Sequence, residues 1–127
     1  MTGKKTTANK KAYRKSGRIP KKVQIILKEI QEELQRIYLN RLKDMILFGS
    51  YARGDFVEGS DIDIALLLEG LQDSYVEREK YFPVICRISL EYDTVVSVIP
   101  FDYREFQVKR TPLILNVQKE GVHVLYS

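Results

Sequence analysis

The segment Asp61-Ile62-Asp63-Ile64 constrains this chain more than any other part of it. Acidic and apolar residues alternate there with a period of two, and the apolar run Ala65-Leu66-Leu67-Leu68 follows. The pattern predicts a strand from Ile62 to Leu68. Ile62 and Ile64 turn into a core, and the two carboxylates turn the other way, about 6 to 7 Å apart along the backbone. Carboxylates facing one way repel each other unless a cation lies between them. Oxygen ligands on a rigid strand are what Mg²⁺ takes when it also binds substrate phosphates. Asp61 and Asp63 are therefore candidate metal ligands and catalytic residues.

A second short apolar run, Met45 to Phe48, stops at Gly49-Ser50 and predicts a buried strand entering a turn. Glycine lets backbone approach a ligand closely, and a serine hydroxyl with free N–H groups at the start of a helical turn can hold phosphate oxygens. Tyr51, Ala52 and Arg53 can form that turn, and Arg53 adds a cation beside it. Gly54 and Gly59 allow the chain to bend back and present Asp61. Gly49, Ser50 and Arg53 are thus the candidate nucleotide-binding residues. A two-metal site needs a third carboxylate, and the next valine-rich strand begins Glu91-Tyr92-Asp93-Thr94-Val95. Asp93, in phase with Val95 and Ser97, is the preferred candidate for catalysis and metal binding. Glu91 is in phase as well and stays a rival.

The surrounding pattern is that of an α/β (α+β) domain. Pro20 opens a helix whose apolar face (Val23, Ile26, Leu27, Ile30, Leu34, Ile37, Tyr38) ends near Asn40. Residues 74–90 have mixed helical spacing through Val76, Phe82, Ile85 and Ile88, and Pro83 predicts a kink or a split. A strand from Thr94 to Ile99 ends at Pro100, Asp102 and Glu105 form a capping-box pattern, and Thr111-Pro112 starts a helix that Gly121 stops. Val122 to Tyr126 is a possible last strand. The expected architecture is a mixed, twisted β-sheet covered by helices on one side.

Charge divides the chain. Of its 21 Lys and Arg residues, nine lie in residues 1–22 together with none of the 17 acidic ones, so residues 23–127 hold 12 basic and 17 acidic groups and carry a formal −5. Residues 1–18 are expected to be an unfolded basic tail, and 19–127 the folded domain. The tail reads as a solubilising segment or as an electrostatic arm, the one place where nucleic acid could bind. No apolar run approaches the roughly 20 residues of a membrane span, and the N-terminus lacks the apolar core of a secretory signal. A single cysteine, Cys86, allows no internal disulfide and fits a cytoplasmic location. Cys86 reads as a small core side chain and His123 as structural.

Gly-Ser, ten residues, then Asp-x-Asp resembles the signature of the DNA polymerase β-type nucleotidyltransferase superfamily. Within it, the wording GSYARG followed by SDIDI and the short chain resemble the minimal nucleotidyltransferases, the MntA-like group. The resemblance implies a Gly-Ser turn on the triphosphate and a two-metal Mg²⁺ site made by Asp61, Asp63 and a later-strand carboxylate. It implies transfer of a nucleoside monophosphate, AMP from ATP, to an acceptor. Many members of the group are antitoxins partnered with a HEPN-domain toxin, which some inactivate by attaching AMP, so a toxin side chain is the expected acceptor. The rival expectation is a binding module that silences a partner by covering it. Transfer to an aminoglycoside is disfavoured because 127 residues leave no space for an acceptor domain.

Overall fold

The computed structural model describes residues 19–125; the expected basic tail, residues 1–18, and Tyr126 of the expected last strand lie outside them. In chain order the elements are α1 (Lys21–Tyr38), β1 (Leu42–Phe48), α2 (Ser50–Arg53), β2 (Ile62–Leu68), α3 (Ser74–Tyr92), β3 (Val96–Asp102), α4 (Tyr103–Val108), α5 (Pro112–Glu120) and β4 (Val122–His123), with a 3₁₀ turn at Leu39–Arg41. The sheet order is β3-β2-β1-β4. β1 runs antiparallel to both β2 and β4, whereas β2 and β3 are parallel. A parallel pair needs a crossover, which the 19-residue α3 supplies.

The side-chain period of the strands sorts the core into two layers. Met45 and Leu47 of β1 join Ile62, Ile64, Leu66 and Leu68 of β2 on one face, under α1 (Val23, Ile26, Leu27, Ile30, Leu34) and α3 (Tyr81, Ile85, Ile88). Ile46, Ala65 and Leu67 face the other way and pack against Phe106, Ile114 and Val117 of α4 and α5. The sheet is therefore covered on both faces, not on one side as expected. The unbroken apolar run Ala65 to Leu68 is what burial on both faces requires of a central strand.

Three local expectations shift for physical reasons. α3 runs unbroken through Pro83. Proline costs one intrahelical hydrogen bond, but Asp73 caps the helix start by accepting from the N–H groups of Tyr75 and Val76, and Tyr81, Ile85 and Ile88 anchor it to the sheet. Its buried face includes Glu77 and Tyr81, while Val76 and Phe82 are exposed. Glu77 tolerates burial because its carboxylate accepts a 2.6 Å bond from Arg41 Nη2. β3 begins two residues later than expected and continues through Pro100, which pairs with Leu66. That is permitted because β3 is an edge strand whose outer side needs no donor. The last strand is short, two residues, and Val124 N–H adds a 2.8 Å bond to the Met45 carbonyl.

Candidate active site

Five of the candidates, Gly49, Ser50, Arg53, Asp61 and Asp63, gather at one end of the sheet. Asp63 pairs with Phe48 across the antiparallel β1–β2 ladder, so the end of β1 and the start of β2 lie side by side. Gly49 follows Phe48 with φ of 80°, and a methyl group there would collide with Asp63 Oδ2. Only glycine lets the turn pass this close to the carboxylate. Ser50–Arg53 then forms the short helix α2, closed by N–H bonds from Ala52 and Arg53 to the Gly49 carbonyl. Tyr51 is buried and stacks on Phe56, ring centroids 4.7 Å apart, which holds the loop leading back to Asp61.

Gly49, Ser50, Arg53, Asp61 and Asp63 line one cavity of about 460 Å³, together with Ser60 and, from α5, Asn116 and Glu120. Burial raises the pKa of Asp63 above the ordinary aspartate value; the Asp61 and Glu120 charges push the same way, and Arg53 opposes them. The site thus holds excess negative charge that a cation would relieve. Arg53 is half exposed and reaches Asp55 (3.1 Å) and Glu120 (3.3 Å).

Asp93 lies elsewhere. It caps the C-terminus of α3 in the left-handed conformation, φ 51°, with its N–H bonded to the Leu90 and Ser89 carbonyls. It lines a neighbouring cavity with Lys22, Val57 and Leu90 rather than the one holding Asp61 and Asp63. The rival, Glu91, sits on α3 and pairs with Arg87 at 3.4 Å. Neither is brought to the pair, because β3 starts only at Val96 and the residue beside Asp63 on that strand is Ser97. Among the described residues no three His, Cys, Asp or Glu side chains are grouped to hold a metal ion. What remains fits a cation bound by two carboxylates and completed by substrate phosphates, the arrangement Mg²⁺ favours. The collision that only a glycine at position 49 avoids shows how closely Asp63 abuts the turn.

Glu120 is the residue that sequence reasoning missed. Its Oε2 accepts a 2.8 Å bond from the Gly49 N–H. The available signal was helical spacing: Glu120 follows Ile114 and Val117 at steps of three, on the face of α5 that packs against the sheet. His123, read as structural, bonds Asp44 through Nδ1 at 2.7 Å and ties β4 to β1. Cys86 is partly buried, not a core residue. No helix among the described residues is long and apolar enough to cross a membrane.

Comparisons with known proteins agree with the fold. Residues 27–122 match the family described as "Nucleotidyltransferase domain". Two proteins of Methanocaldococcus jannaschii, each named "Putative protein adenylyltransferase", are 36% and 38% identical to the chain. The first alignment covers 78% of this chain and 95% of the relative, the second 79% and 94%. Among solved structures, one described as a toxin-antitoxin with AMP-PNP superposes with a TM-score of 0.56 at 23% identity, over 85% of this chain and 75% of that one. Another, described as the toxin-antitoxin MntA-HepT, gives 0.52 at 21% identity, over 82% and 73%. With a family match spanning most of its length and relatives aligned almost end to end, the chain belongs to the nucleotidyltransferase domain family and is a nucleotidyltransferase.

Proposed function

We propose that this protein transfers AMP from ATP, with Mg²⁺, to a hydroxyl-bearing side chain of a partner protein, and that the partner is a HEPN-type toxin which the transfer silences. The observation that carries the reading is the placement of Asp61 and Asp63 in one cavity with the Gly49-Ser50 turn. The relatives named as protein adenylyltransferases support a protein acceptor and an adenylyl donor.

In this reading Asp61 and Asp63 would be the protein's ligands for the cation. Bound there, Mg²⁺ would neutralise phosphate charge that grows on the leaving pyrophosphate. Gly49 and Ser50 position the phosphates, and Arg53 steadies them from the side. The acceptor hydroxyl oxygen bonds to the α-phosphorus as the bond to pyrophosphate breaks, and its proton is lost to solvent, a reaction that consists mostly of positioning and charge stabilisation.

The test is incubation of the protein with Mg²⁺, ATP and the candidate toxin, read by intact mass. Wild type should add one or more AMP units to the toxin, and folded Asp63→Asn should add none. Loss of one metal ligand is worth several kcal/mol of barrier, several orders of magnitude in rate. Modification by the folded variant at the wild-type rate would sink the proposal. Equal silencing by both proteins with no adduct would make this chain a binding module.

A further inference from the structure

Glu120 has no part in the transfer just described, yet it lines the same cavity. It ends α5 with a side chain only 21% exposed. Its carboxylate takes the Gly49 N–H at 2.8 Å, and its two oxygens lie 3.3 and 3.4 Å from Arg53 Nη1. These are donors of the turn assigned to the phosphates. The chain has therefore placed an anion of its own where an anionic ligand would bind. Glu120 also shares the cavity with Asp61 and Asp63.

We propose that Glu120 is a specificity-determining residue that makes nucleotide binding depend on the cation. In the free protein it holds Gly49 and Arg53, and it rejects a triphosphate that arrives without a divalent metal. The inference rests on the nucleotide site proposed above and deepens it.

The physical argument is one of charge. A metal-free triphosphate must bring about four negative charges to three carboxylates and also displace Glu120 from its donors. A triphosphate carrying a divalent cation offsets the charge of the aspartate pair, so only the local contacts of Glu120 have to yield. The backbone offers no other way out. A methyl group at position 121 would collide with Ile46 and with the Val117 carbonyl, so the helix end is pressed against β1 and Glu120 can leave only by rotating its side chain.

The experiment is calorimetric titration of the full chain with ATP, once with excess Mg²⁺ and once with a chelator and no metal. Wild type should bind ATP at least thirtyfold more tightly with the metal. Glu120→Gln keeps an acceptor for the Gly49 N–H but removes the charge. It should tighten metal-free binding about tenfold and change Mg²⁺-ATP binding far less, so the ratio of the two constants collapses. Glu120→Ala, which also removes the acceptor, should shift the ratio the same way and serves if the glutamine variant melts too low. An unchanged ratio in the folded variants, or equal weakening of both constants, overturns the proposal and leaves Glu120 as a brace for the turn. Wild type that binds no ATP even with Mg²⁺ overturns it together with the nucleotide site itself.

Discussion

Replacing Asp63 by Asn tests the electrostatic core of the site without any partner. Two carboxylates on alternate residues of a strand stand about 6.5 Å apart. Their repulsion is about 2.5 kcal/mol at an effective dielectric constant of about 20 and about 0.6 kcal/mol at that of water. Asp63 is half-buried and Asp61 exposed, so about 1 kcal/mol is the reasonable figure. Asp63 has a folded pKa raised by burial, by Asp61 and by Glu120. A carboxyl group with a raised folded pKa favours folding below its unfolded pKa of about 3.9, and this contribution is lost as pH rises through the folded value. At neutral pH Asp63 therefore costs stability, and Asp63→Asn should raise the metal-free melting temperature by about 3 to 6 °C. The order must then reverse with ligand. Mg²⁺ with ATP should stabilise wild type, because it binds only the native state, and leave the variant almost unmoved. Differential scanning fluorimetry of both proteins, with chelator and with Mg²⁺-ATP, reads all four values. A variant that melts several degrees lower without metal, or that gains as much from Mg²⁺-ATP as wild type does, refutes the reasoning.

Three other outcomes follow from particular contacts. Leu67 faces α4 and α5 and is 2% exposed, so Leu67→Ala should cost about 2 to 4 kcal/mol in urea unfolding, whereas a sheet covered on one side only would lose almost nothing. The pKa of His123 is raised by its bond to Asp44 despite opposing burial. The pair therefore stabilises fully below the unfolded pKa of about 6.5, and this is lost as pH rises through the folded value. Asp44→Asn, which keeps an acceptor for the Met45 N–H, should destabilise more at pH 6 than at pH 8.5, and a pH-independent difference would contradict the pairing. Asp93→Asn should leave both AMP transfer and melting temperature close to wild type, since asparagine accepts the left-handed conformation of this cap at least as well. A thousandfold loss of transfer in the folded variant would return Asp93 to the metal site.

The sequence by itself determined the elements whose signals are local. Period-two alternation set the facing of Ile62, Asp63 and Ile64, the three-and-four spacing of Val23 to Tyr38 set α1, and Thr111-Pro112 and Gly121 bounded α5. The Gly49-Ser50 turn and the Asp61-Asp63 pair belong to the same local kind, because both sides of the hairpin lie within fifteen residues. Only the tertiary structure decided the rest. Whether Asp93 reaches the pair depends on where the β2–β3 ladder begins, and its register puts Ser97, not an acid, beside Asp63. Covering of the second face depends on α4 and α5 folding back over β1 and β2, a contact between segments dozens of residues apart. Glu120 reaches Gly49 by the same return of the chain, 71 residues away in sequence. Local pattern carries the period of an element and the way its side chains face, but not the partner across the core, because that choice is made by packing among residues that the pattern does not link.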